Sequence, residues 1–283
     1  MSTVRRLLAT ALSCCLFSST SAIAQSCPAG GFDYMGVPIA FSPDHAAYYF
    51  ATDHKLVDAD GAPNAYHPAD VPNTCPATGR GIDCLAAAGY PDGSWWQTVL
   101  VADPEDPTRP AIQQDGPYKG FFVSMTSLRN TAFAGPASTA SYVDAAAIPY
   151  IVLPAPIYRT DGMGEMGDIG FATNLDTGQT TPFVIADEGP VERLGEASVA
   201  FWHALGVQAP NPRNGEGLPD GRIAYVVFPG SAKDAKIGWP IDKAALAREA
   251  RTRLDAVGGL AALRSCAQPK TEIASASAVR LSK

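Results

Sequence analysis

Histidine is scarce, four residues in 283, and the four are scattered. No Cys-x-x-Cys pair accompanies them, which argues against a zinc site. No Gly-x-Ser-x-Gly occurs and Ser198 has no evident histidine partner, so a serine hydrolase is disfavoured. Charged residues make up only 17%, and the basic ones are the minority. That leaves no cationic surplus to neutralise phosphates, which argues against nucleic acid as a partner. There is no internal repeat, and no Ser/Gly-rich linker splits the chain. Beyond the first 24 residues no apolar run is long enough to span a bilayer.

Those first residues read as a secretory signal peptide, 1–24. Arg5 and Arg6 supply the charged start, Leu7 to Phe17 the short apolar core, and Ala22-Ile23-Ala24 the small-residue cleavage site. A lipoprotein acylated at Cys27 is disfavoured, because Ala24-Gln25-Ser26 makes a poor lipobox. Export to the periplasm or the medium is expected, with no membrane attachment after cleavage. Removing the signal leaves 19 basic against 28 acidic residues, a net charge of −9 in place of −7. Such a surface would concentrate a cationic polymer, although mild acidity also serves solubility alone. Cys14 and Cys15 leave with the signal. Cys27, Cys75, Cys84 and Cys266 then imply two disulfides with three possible pairings. The favoured one joins Cys75 to Cys84 locally and Cys27 to Cys266 across the termini.

What is present in quantity is apolar residues, 46%, together with 26 Gly and 24 Pro. The composition favours a folded core cut by many turns. Short strands are predicted at Val37–Phe41, Tyr48–Phe50, Trp95–Val101, Phe121–Leu128, Tyr150–Leu153, Ile169–Thr173, Pro182–Ala186 and Arg222–Phe228. One or two helical turns are predicted within Ile82–Ala88. An amphipathic helix is predicted over 241–257, with Asp242 as its N-cap and Gly258-Gly259 as its stop, and a second runs on to Arg264. Strands without βαβ alternation indicate a mainly β fold with helical additions. Residues 25–266 read as a single catalytic domain, with a barrel core over about 55–231, a helical addition at 241–264 and a polar tail from 267. A monomer is expected.

Two carboxylates nine positions apart stand out within this frame. Asp187 ends the apolar run Pro182 to Ala186, and Gly189-Pro190 turns the chain. Glu196 opens an apolar segment ending at Leu205-Gly206, which is predicted to be a helix from Glu196 onward. Acids at the two ends of one tight connection can converge on a cleft, as acid–base hydrolysis of a glycosidic bond requires. Each also has an ordinary role, Asp187 as a turn residue and Glu196 as a helix-dipole partner. Glu188 and Glu192 are internal competitors. Asp58-x-Asp60-Gly61 opens like a calcium loop, but its twelfth position is Ala69 where a Glu is needed, so calcium is discounted. His203, on the same short helix, reads as a surface residue.

Taken together, several segments resemble the chitosanases of glycoside hydrolase family 75. They are Asp58-Ala59-Asp60-Gly61 with Ala65-Tyr66, Phe122 to Leu128, Tyr142-Val143-Asp144 with Ile148-Pro149, and Ile151 to Pro154. Gly167-Asp168, Ala186 to Pro190 with Gly195 to Ser198, and Val227 to Ser231 complete the series, in the family's order over roughly residues 55–231. The resemblance implies an inverting, endo-acting hydrolase of β-1,4 bonds in chitosan, with Asp187 and Glu196 as the catalytic pair and no metal or organic cofactor. It makes Asp58, Asp60 and Asp168 candidate partners for glucosamine amino groups, with Trp95, Trp96 or Tyr66 as stacking candidates. Glu196, packed by Phe201 or Trp202, is the expected acid, and Asp187 the expected base. The stretch Asp187-x-Gly189-Pro190 with Arg193, Ser198 and Leu205-Gly206 also resembles the strand–turn–helix of double-psi β-barrels, which implies a six-stranded barrel core. That likeness keeps two other functions open, a peptidoglycan-acting muramidase or lytic transglycosylase and a non-catalytic glycan-binding barrel.

Overall fold

A computed structural model describes Cys27 and residues 30–70 and 75–267. The expected signal peptide and all of the tail beyond Ala267 lie outside them. In chain order the elements are β1 (Gly31–Tyr34), β2 (Val37–Phe41), β3 (Tyr48–Thr52), β4 (Leu56–Asp58), α1 (Thr131–Ala134), β5 (Tyr150–Pro154) and α2 (Ala155–Tyr158). They continue with β6 (Ile169–Asn174), β7 (Thr180–Gly189), β8 (Glu196–Ser198), α3 (Val199–Ala204), β9 (Ile223–Phe228), α4 (Lys243–Ala256) and α5 (Gly259–Cys266). All nine strands join one mixed sheet in the order β1-β2-β3-β9-β6-β7-β5-β8-β4. Pairing is antiparallel except for β5 with β7 and β4 with β8.

Strands β3, β5, β6 and β9 are buried along their whole length because both faces of the sheet are covered there. In β9, Ala224, Val226 and Phe228 enter one core, and Ile223, Tyr225 and Val227 enter the other. The second core is aromatic: Tyr225 stacks on Phe50 at 4.6 Å and on Phe201 at 5.9 Å. Ile39 and Tyr48 from β2 and β3, and Val57 from β4 at the far edge, feed this same core, so the sheet curls around it. It nevertheless stays open, with β1 and β4 as its edges. The fold is therefore mainly β with helical additions, and nine open strands stand where a closed six-stranded barrel is expected. On the other face, α4 packs on β7 and β6, and α5 on β6, β9 and β3. Asp242 caps α4, its Oδ1 accepting from the Ala244 and Ala245 amides at 2.8 and 3.2 Å. Leu246, Ala250 and Leu254 are the buried stripe of that helix. The four cysteines among the described residues stand at disulfide distance as Cys27–Cys266 and Cys75–Cys84, with Cα separations of 5.0 and 5.2 Å. No helix among the described residues is long and apolar enough to cross a membrane.

Four local expectations are corrected. Residues 95–101 form a 3-10 turn over Trp96–Thr98, not a strand, because Trp96 turns inward against Tyr90. Leu100 and residues 121–128 contribute only isolated bridges, Leu100 with Ser124 and Phe122 with Ile112, since their partners are themselves loops. Residues 82–88 make hydrogen-bonded turns without a helix. The segment after Gly195 begins as strand β8 and turns helical only at Val199. Ser198 imposes that start, its Oγ accepting from the Phe201 amide at 3.1 Å.

Asp168 is the expected substrate contact that the fold takes for itself. It is fully buried and accepts backbone N–H groups from Glu165 (2.7 Å), Gly230 (2.9 Å) and Ala232 (2.7 Å). Those bonds fasten the start of β6 to the turn after β9. Asp168→Ala leaves three partly buried backbone donors without their acceptor and is expected to cost about 2 kcal/mol of stability. A thermal melt checks it, and a midpoint equal to that of wild type would remove the fastening role.

Candidate active site

The register of β7, β5, β8 and β4 places Asp187, Glu196 and Asp58 on one face. Tyr150 pairs with Val184 and Ile151 with Ile185, but Val152 pairs with Asp187, so Ala186 is an extra residue in β7. This β-bulge is decisive, because strict alternation would have sent Asp187 into the aromatic core. With Ala186 inserted, Asp187 shares the face of Val152 and Tyr150. On the other side of β5, Ile151 pairs antiparallel with Ala197, which puts Glu196 beside Val152. Leu56 pairs with Glu196 and Asp58 with Ser198. Val57 and Ala197 enter the aromatic core, so Glu196 and Asp58 point the opposite way. Asp187 and Glu196 thus flank one residue of β5, with Cα atoms about 10 Å apart at two strand spacings.

Two glycines make room for this. Gly195, at φ +113°, supplies the turn into β8, and a Cβ there would meet the His54 carbonyl oxygen at 2.0 Å. A Cβ on Gly189 would lie 2.6 Å from Val152 Cγ1 and 3.1 Å from a Glu196 carboxyl oxygen. The bare backbone of β7 therefore allows the Glu196 carboxyl to lie over it.

Asp58, Asp60, Asp83, Tyr66 and Glu196 line a cleft of about 470 Å³ walled on its far side by Arg213, Asn214 and Leu218. One oxygen from each of Asp58, Asp60 and Asp187 lies within 4.8 Å of the other two. Among the described residues this is the carboxylate group whose spacing would admit a cation. Carboxylates this close must share a proton or a positive charge. Asp187 accepts from the Ser127 amide (3.0 Å), the Ser127 hydroxyl (2.7 Å) and the Glu188 amide (2.8 Å). Burial and the Asp58 charge nonetheless push it up to about 7. Burial, then the charges of Asp58, Asp187 and Asp83, push Glu196 up to about 8. Burial raises Asp58 to about 6 and Asp83 to about 7, and holds Asp60 well above the ordinary carboxylate range. Asp187, with three donors, is thus easier to ionise than Glu196.

Phe201 and Trp202 have no part in raising Glu196, since both belong to the aromatic core on the opposite face. Glu188, one residue on from Asp187, also faces away, held by Tyr158 and by Arg159 at 3.1 Å. Glu192 and His203 are exposed. Ser198 Oγ is buried and donates to the Ile148 carbonyl, so it is no nucleophile. Trp96 is buried and Trp95 exposed, and Tyr66 offers its hydroxyl instead of a stacking face. Neither Asp168 nor Asp187 lines the cleft, but Asp187 adjoins it through Asp58 and Asp60 and Asp168 does not. Asp83 and Ser127 join the site although neither is among the expected site residues. Asp83 precedes a disulfide cysteine, and Ser127 lies in the Phe122 to Leu128 segment.

Buried acids with raised pKa values oppose folding once they ionise. Below about pH 4 they are protonated in both states and cost nothing. As pH rises from there through 6–8, the unfolded chain has already lost these protons and the native state must lose them at a cost. Stability is therefore expected to fall across that window. Asp187→Asn should raise stability by about 2 kcal/mol at pH 8 and hardly at all at pH 4. Melts at the two pH values check this, and an equal effect at both would contradict it. Comparison with known proteins adds no relative: no family model matches the chain, and no curated protein does.

Proposed function

We propose that the protein is an exported chitosanase-type glycoside hydrolase, cutting β-1,4 bonds of chitosan with inversion. The observation that carries this reading is the placement of Asp187 and Glu196 on either side of Val152, with Glu196 lining a cleft beside Asp58, Asp60 and Asp83 and Asp187 set against Asp58 and Asp60. A Cα separation of about 10 Å suits the roughly 6.5–9.5 Å between carboxyls that leaves room for a water in inverting enzymes. Glu196 holds its proton at neutral pH and gives it to the leaving glycosidic oxygen. Asp187, ionised and oriented by Ser127, takes a proton from the water that attacks the opposite face of the sugar. Asp58 and Asp60 offer the negative charge that an ammonium group on the sugar would neutralise. A curled sheet around one core also suits kinship with double-psi β-barrels, which the turn after Asp187 resembles. The two disulfide pairs suit an oxidising, exported setting.

The test is reducing-end release from soluble chitosan, with purified peptidoglycan in parallel. Asp187→Asn and Glu196→Gln are each expected to lose about a hundredfold or more in activity. Glu188→Gln, which faces away, should stay close to wild type. Release from peptidoglycan alone would transfer the pair to a muramidase or transglycosylase. Binding without release from either polymer would leave a glycan-binding protein.

The pH profile gives an independent check. Asp187 must be ionised and Glu196 protonated, so a bell is expected. Substrate ammonium groups relieve the like-charge repulsion and lower the pKa of Asp187 in the complex. The acid limb of kcat should therefore lie at lower pH than the acid limb of kcat/KM. Coincident limbs would mean that the substrate brings no positive charge to the cluster.

A further inference from the structure

Asp83 takes no part in the two-carboxylate mechanism, yet its surroundings are built with care. Its Oδ1 accepts from the Cys84 amide at 2.6 Å, next to the Cys75–Cys84 pair. Its backbone carbonyl accepts from the Arg213 guanidinium at 2.9 Å, which also holds Asp70 at 2.6 Å and the Gly81 carbonyl at 2.8 Å. The remaining oxygen, Oδ2, lies 3.4 Å from the Tyr66 hydroxyl. That hydroxyl sits 2.7 Å from Oδ1 of Asp60, the partly exposed member of the cluster beside Asp187. Tyr66 thus has one proton and two carboxylates to serve. A chain of this kind is fully bonded only when one of the two acids carries a proton and returns it to the phenol oxygen.

We propose that Asp83, Tyr66 and Asp60 act as one proton-sharing relay, with Asp83 as the buried positioning residue that takes up or returns a proton when the charge of Asp60 in the cleft changes. When Asp60 gives up its proton, the O–H bond of Asp60 breaks and one forms at the Tyr66 oxygen. The original Tyr66 O–H breaks and its proton passes to Asp83 Oδ2. The unit keeps two protons and one negative charge throughout, and no solvent has to enter. The charged groups that face it come from several elements. Asp58 and Asp187 act on Asp60, Asp58 and Arg213 act on Asp83, and Glu196 feels Asp83 across the cleft. Lys55 lines the same cleft. Burial raises both Asp60 and Asp83, which keeps a proton available to the pair near neutral pH. The role in catalysis rests on the chitosan reading, in which a substrate ammonium group arriving beside Asp60 draws the negative charge there. The relay itself does not rest on that reading.

Carbon-13 NMR titration of the aspartate carboxyls tests it without any activity. In the wild type the Asp60 and Asp83 signals are expected to share two inflections, as a coupled pair does. Asp83→Asn keeps a donor for the phenol oxygen but cannot ionise, so Asp60 should titrate in one step at lower pH. Tyr66→Phe removes a donor to the Asp60 carboxylate, so Asp60 should move to higher pH. Shifts of about half a unit or more in these opposite directions are expected. An Asp60 curve that is unchanged in Asp83→Asn, or that moves the same way in both variants, overturns the relay. A purely structural role for Asp83 would give one of those two results. Repeating the titration in Glu196→Gln with a chitosan oligomer present adds the substrate arm, in which Asp60 should ionise and Asp83 gain the proton. An oligomer that fails to bind counts against the hydrolase reading and leaves the result of the first titration in place.

Discussion

Like charge held out of water is the constraint on which the rest of the structure depends. Five carboxyl groups, those of Asp58, Asp60, Asp83, Asp187 and Glu196, are gathered at one end of one sheet face. Each would be more comfortable apart and wet. Charges this close in a low-dielectric site cannot all be present together, so the group keeps protons at pH values where free carboxyls have lost them. An acid and a base made from the same functional group need that disparity, and it arises from placement alone.

The scaffold answers with rigidity. The strands bearing three of the acids are apolar on their opposite side and anchored in the aromatic core of Phe50, Tyr225, Phe201 and Trp202. The same face that carries the acids is closed further along the sheet by α4 and α5. One end of the sheet face is thus packed by helices and the other gathers the acids. Arg213 fixes the wall around Asp83 by giving its donors to backbone carbonyls and Asp70, not to the cluster. It stabilises the geometry while its charge is paired with Asp70 and, within the cluster, favours the ionised form of Asp83.

Much of this was legible in the sequence, and the unread part has a physical pattern. Long apolar strands such as β9 and the stripe and cap of α4 follow from periodicity and local chemistry, which act within a few residues. The pairing of Asp187 with Glu196 was legible because a short turn joins them. The bulge at Ala186 was not, since an inserted alanine in an apolar run leaves no local mark; it exists only against the register of β5. Strand β8 was hidden for a related reason. Three residues carry too little pattern, and only β4, about 140 residues earlier, makes them a strand. Asp168 misled because an Asp in a Gly-rich turn reads alike whether it faces substrate or ties down the chain. Asp83 entered through contacts with Tyr66 and Arg213, which lie 17 and 130 positions away.

The Cys27–Cys266 pair has a topological meaning as well. It joins positions 239 apart and so encloses nearly the whole described chain in a single covalent ring. A ring cannot be parted by one cut. A protease that nicks any exposed loop between those two cysteines opens the ring but releases no fragment, and the strands on either side of the nick remain tethered to the same sheet. The loops around the cleft are then free to be long and exposed, because damage to one of them leaves the molecule in one piece.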